Sequence, residues 1–173
     1  MTTRTDYTDA EWELLTDMPR LAAFGAMAAE EGGPVASTRE LWASMMELAQ
    51  AARTRYPNNT LIQEVMRGFS RPADDDEMSI MGWKPESGEP LGNAIVAQTL
   101  ETAPRVREVL ASQATPDEAA EYTEWVLSIA RAGCGAVRSG LFGLVGAPMT
   151  AAEDQYMKDL RQLITDAREE TDA

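Results

Sequence analysis

Apolar residues return every three or four positions along most of this chain, and the breaks between those runs carry helix-starting chemistry. The clearest case spans residues 115–164. Thr115-Pro116-Asp117-Glu118 is a complete helix start: a threonine cap, a proline where its missing N–H costs nothing, and a glutamate placed to close a capping box. Tyr122, Val126, Ile129, Gly133 and Val137 then recur at helical steps and predict a buried stripe, with Glu118, Glu121 and Glu124 largely off it. Thr150-Ala151-Ala152-Glu153 opens a second helix, whose apolar face is Tyr156, Leu160, Leu163 and Ile164.

Between these helices lies a glycine-rich turn over 139–148. Gly140 fits the left-handed position that ends a helix. Glycines before a helix N-terminus can cradle phosphate, but residues 141–155 contain no lysine or arginine to assist. The plainer reading tucks Leu141, Phe142, Leu144 and Val145 back onto the helices. If they face water instead, they form an apolar patch of the kind that marks a partner site. Just before the turn come Ala130, Ala132, Gly133, Cys134, Gly135 and Ala136. An interior helical glycine costs about 1 kcal/mol relative to alanine. Close approach by a neighbouring helix is the reading that compensates it, although small residues can also leave room for a ligand.

The rest of the chain repeats the pattern. Thr8-Asp9-Ala10-Glu11 starts a helix carrying Trp12, Leu14 and Leu15. Pro19 predicts a kink or restart near Asp17, followed by a helix to about Glu30 with Leu21, Phe24, Gly25 and Ala28 inward. Ser37-Thr38-Arg39-Glu40 is a further capping box, and Leu41, Met45, Leu48, Ala49 and Ala52 follow it. Thr60, with Glu64 one turn on, opens a shorter helix holding Leu61, Ile62, Val65, Met66 and Phe69. Residues 91–114 place Ile95, Val96, Leu100, Val106, Val109 and Leu110 on one face, and Pro104 predicts a kink or two consecutive helices. Arg105 and Arg107 read as exposed. No alternation of period two runs long enough for a sheet. The expected fold is all-α: a single-domain bundle of about six or seven helices over 1–173, with 1–7 and 166–173 frayed.

Residues 71–90 form a long acidic loop inside that bundle. A loop of this length is uncommon and is usually functional or disordered. Asp74-Asp75-Asp76-Glu77 offers carboxylates to a hard cation but lacks the spacing that wraps one. A solvated acidic loop is the simpler reading. Ile80, Met81 and Trp83 either pin the loop to the bundle or dock a partner, and pinning is favoured.

Composition narrows the function. A domain of 173 residues buries roughly 70% of its extended-chain surface, so no disulfide or metal is needed for stability. The net charge of −14 argues against nucleic acid and against anionic membrane surfaces. Histidine is absent, which excludes the serine–histidine triad, the cysteine–histidine pair and histidine metal sites. The single cysteine, Cys134, reads as a small buried hydrophobe. The first nine residues are polar, and no run approaches bilayer-spanning length, so a cytoplasmic protein is expected.

Several motifs together resemble a family of small, uncharacterised, all-helical bacterial proteins. Thr8, Glu11, Trp12 and Leu15 fit its "TxxEWxxL" opening, and Asn58-Asn59-Thr60-Leu61-Ile62 fits an "NxLI" step. Residues 138–146 are similar to its "KEGGFLGFGG" turn, and Met149-Thr150-Ala151-Ala152-Glu153 to the "VSxxE" that follows. Arg138 stands nearest to the family's lysine. The resemblance implies a helical bundle and brings no activity, cofactor or site residue. From the residues themselves, the leading expectation is a protein–protein interaction module or small regulator, with a possible homo-oligomer. Its candidate patch is Leu141, Phe142, Leu144, Val145, Ile80, Met81 and Trp83. A small-molecule or lipid-binding bundle is the alternative, and an enzyme comes third. No cofactor is expected.

Overall fold

The computed structural model describes residues 2–29, 52–69, 91–139 and 149–165. A short 3-10 helix, Arg4–Asp6, precedes five α-helices: α1 (Asp9–Ala28), α2 (Thr60–Phe69), α3 (Leu91–Gln113), α4 (Pro116–Ser139) and α5 (Ala151–Thr165). Residues 52–55 are a further helical stretch, and no strand occurs among the described residues. The all-α bundle is therefore as the periodicity predicts. The boxes at Ser37–Glu40, the loop 71–90 and the turn 140–148 lie outside the described residues.

The capping chemistry sets the helix starts. Thr8, Thr115 and Thr150 each accept from the backbone N–H three residues on, at 3.3, 3.3 and 3.2 Å. Glu11, Glu118 and Glu153 reach back to the backbone N–H of those threonines. α2 starts at Thr60 as expected, and its cap is Asn59, whose side-chain oxygen accepts from Ile62 N at 3.0 Å.

α1 is the central helix. Leu15, Met18, Pro19, Leu21, Ala22, Ala23, Gly25 and Ala26 are all buried, so most of the circumference of its second half is covered, while the stripe of Asp17, Arg20, Phe24 and Met27 is half-buried. α3 and α4 flank it, and α5 and α2 complete the contacts. Small residues let the neighbours come close. A Cβ on Gly133 would lie 2.8 Å from the Ala23 carbonyl oxygen and 3.0 Å from Ala26 Cβ. At Gly133 α4 is thus packed directly against α1, which leaves no ligand space between the two helices there. Cys134 is fully buried.

Pro19 neither restarts nor divides the helix; α1 runs unbroken from Asp9 to Ala28. In an α-helix the carbonyl of residue 15 would accept from the N–H of residue 19. Proline has no such donor. The Tyr122 hydroxyl of α4 supplies one, donating to Leu15 O at 2.6 Å. Burial pushes the Tyr122 phenol well up, which keeps its proton in place. Two more hydroxyls reach the carbonyls of α1: Thr99 of α3 lies 3.0 Å from Leu21 O, and Tyr156 of α5 donates to Ala22 O at 2.9 Å. α3 is also continuous through Pro104, so the two-helix alternative there fails.

Two further expectations are corrected. Residues 2–7 do not fray: Thr2 and Tyr7 are buried, and Thr2 bonds to the capping glutamate of α4. Glu118 is accordingly not off the buried stripe but 5% exposed. Its carboxylate accepts from Thr2 N at 3.0 Å, Thr2 Oγ1 at 3.2 Å and Thr115 Oγ1 at 2.9 Å. The Asn59 amide donates to Glu118 O and to the Glu121 carboxylate, so the starts of α2 and α4 and the N-terminal segment meet at one polar knot. Burial opposes the charge on Glu118, but the donors of Thr2 and Thr115 outweigh it and hold the carboxyl below its ordinary value.

Three outcomes are expected of these contacts. Tyr122→Phe leaves the Leu15 carbonyl buried without a donor and costs about 1–3 kcal/mol by urea unfolding. In a Pro19→Ala background, where residue 19 regains its N–H, the same change costs markedly less; equal costs in both backgrounds would refute the substitution of donors. Gly133→Ala gains about 1 kcal/mol of helix propensity. It loses about 1–3 kcal/mol to overpacking against the α1 backbone, so it destabilises. For Glu118 the folded pKa lies below the unfolded one, so its contribution is complete above about pH 4.3 and is lost as pH falls through the folded value. The stability gap between the native chain and Glu118→Gln should therefore close on acidification, and a pH-independent gap would contradict this.

Candidate functional groove

The outer faces of α3, α4 and α5 do not touch α1, and where they meet they leave a groove of about 530 Å³. On α4 it is lined by Thr123, Glu124, Leu127, Ser128 and Arg131, which share one face at helical steps. Arg107, Leu110 and Ala111 come from α3, and Arg161, Ile164 and Thr165 from α5. Arg55, from the helical stretch before α2, closes one end. Leu110, Leu127 and Ile164 are buried and form an apolar floor, and arginines stand around it.

The charge of this groove runs against that of the chain. The net charge is −14, yet four of the fifteen basic residues gather here against one carboxylate, Glu124. Arg55 and Glu124 form an exposed ion pair at the groove's end. Arg107 is half-buried rather than exposed as its sequence position suggests. Its Nη1 donates to Leu163 O at 3.1 Å, one of the four terminal carbonyls that α5 itself leaves without partners. This bond fixes Arg107 across the α3–α5 junction and suits the negative end of the α5 dipole. Arg131 and Arg161 are exposed, and among the described residues no carboxylate pairs with either side chain.

The arrangement joins cationic donors to an apolar bed at a volume typical of small-molecule sites. Guanidinium groups present planar N–H forks that match carboxylate, phosphate or sulfonate oxygens. No nucleophile–base pair lines it. Among the described residues, no three cysteine, aspartate or glutamate side chains gather in a way that would hold a metal ion.

The residues singled out from the sequence, Leu141, Phe142, Leu144, Val145, Ile80, Met81 and Trp83, all lie outside the described residues, as does Asp74–Glu77. The groove arginines were not among them. Residues 107, 131 and 161 are 24 and 30 positions apart, and nothing in linear spacing says that three helices turn those faces toward one another. The legible hint was local: Thr123, Leu127 and Arg131 recur at four-residue steps on the side of α4 opposite its buried tyrosine stripe.

Comparison with protein-family models, curated proteins and solved structures found no match. No helix among the described residues is long and apolar enough to cross a membrane.

Proposed function

We propose that this chain is a binding module that holds an anionic, partly apolar small molecule in the groove between α3, α4 and α5. The observation that carries this reading is the concentration of Arg55, Arg107, Arg131 and Arg161 over an apolar floor in an otherwise acidic protein. Surrounding negative charge repels anions from the rest of the surface, so the groove is where an anion gains most. The apolar floor adds burial of roughly 25 cal/mol per Å² of ligand surface removed from water. No catalytic role is part of the proposal, and neither is nucleic acid, which the overall charge disfavours. A cytoplasmic location and kinship with the bacterial helical family of the Thr8–Glu11–Trp12–Leu15 motif belong to the same proposal and supply no activity.

A second reading keeps a protein partner docked at the turn before α5. Met149, at the edge of that turn, is the one large apolar side chain well exposed among the described residues. It is a single side chain, and the groove has the broader support.

The test uses anilinonaphthalene sulfonate, an anionic aromatic dye, with the neutral apolar dye Nile red as control. The native chain should bind the sulfonate dye with one-to-one stoichiometry, more weakly as salt rises. Arg131→Gln with Arg161→Gln should lower that affinity by about tenfold or more while the urea midpoint holds, since both side chains are exposed. Unchanged affinity in the double variant, or an equal loss for Nile red, would refute an anion-selective groove.

A further inference from the structure

The charge balance inside the groove narrows the ligand further, on the premise that the groove is the binding site. We infer that its ligand is a phosphate monoester with an apolar body, bound as the dianion, rather than a monocarboxylate.

The inference begins with Glu124. This carboxylate sits on the same face of α4 as Thr123, Leu127 and Ser128, and it is already engaged with Arg55. One arginine of the four is thereby matched by the protein itself. Arg107 is anchored to the Leu163 carbonyl, which fixes its position. Arg131, on α4, and Arg161, on α5, approach from two different helices, and among the described residues neither meets a carboxylate. Two guanidiniums without a carboxylate partner, lining one groove from two helices, call for two negative charges between them. A phosphate monoester carries about −1.5 to −2 charge at neutral pH and presents three acceptor oxygens, enough to engage both guanidiniums. A carboxylate has one charge and two oxygens, and it would match one of them.

The floor accounts for the remainder of the molecule. Leu110, Leu127 and Ile164 offer no polar group, so the part of the ligand beneath the arginines is hydrocarbon. Inorganic phosphate alone would leave that floor uncovered. Glu124 has a further consequence in this picture. It places a fixed negative charge beside Arg55, which directs the ligand's anionic group toward Arg131 and Arg161. Replacing it should relax that polarity.

Calorimetric titration of the full chain with octyl phosphate, octanoate and inorganic phosphate, each below micellar concentration, separates the possibilities. At about pH 7.5, octyl phosphate should bind at least about tenfold tighter than either other probe. That preference should shrink as pH falls through about 6, where the ester becomes a monoanion. Glu124→Gln should raise octanoate affinity more than octyl phosphate affinity, because it frees Arg55 for a single charge. Octanoate binding as tightly as octyl phosphate would overturn the dianion inference while leaving the groove as an anion site. Inorganic phosphate binding as tightly as octyl phosphate would overturn the apolar-body part. Failure of all three probes to bind would overturn the groove reading itself.

Discussion

A single missing hydrogen bond explains much of how this bundle is held. Pro19 stands in the middle of α1, the helix that all the other α-helices contact, and deprives the Leu15 carbonyl of its donor. A buried, unsatisfied carbonyl costs about 1–3 kcal/mol. The Tyr122 hydroxyl removes that cost by entering from α4. Tyr156 places its hydroxyl on Ala22 O in the same helix, and the Thr99 hydroxyl is shared between Ile95 O of its own helix at 2.7 Å and Leu21 O of α1 at 3.0 Å, so α4 and α5 are tied to the α1 backbone by tyrosines and α3 by a shared bond. Hydrocarbon packing alone permits sliding; a hydroxyl aimed at one carbonyl sets a register.

That arrangement determines what the outer surface can do. With their inner faces committed to α1, the three helices turn their remaining faces outward, and the second halves of α3 and α5 meet residues 119–131 of α4 at the arginine groove. Close packing at Gly133 and Gly25 draws the helices toward α1. Arg107 then spans α3 and α5 through the Leu163 carbonyl. The groove is thus a by-product of how the core is satisfied.

The helices, their caps and the glycine seam were legible in the sequence because each is local. Thr8, Thr115 and Thr150 announce their helices within four residues, and Gly133 flags a close neighbour by its cost. What was not legible depends on partners distant in the chain. Pro19 read as a kink or restart because Tyr122, 103 positions away, cannot be seen from spacing alone to supply the missing donor. Glu118 read as solvent-facing because its partner Thr2 comes from a segment with every local sign of fraying. The groove failed to appear for the same reason: each of its arginines, alone, is an ordinary exposed residue on a polar face.

Native mass spectrometry of the chain isolated gently from its own host tests the functional account most directly. The account predicts one phosphate-bearing small molecule retained per chain, and its loss when Arg131 and Arg161 are both replaced by glutamine. A small molecule retained equally by that variant, or a stoichiometric protein partner in its place, would contradict it.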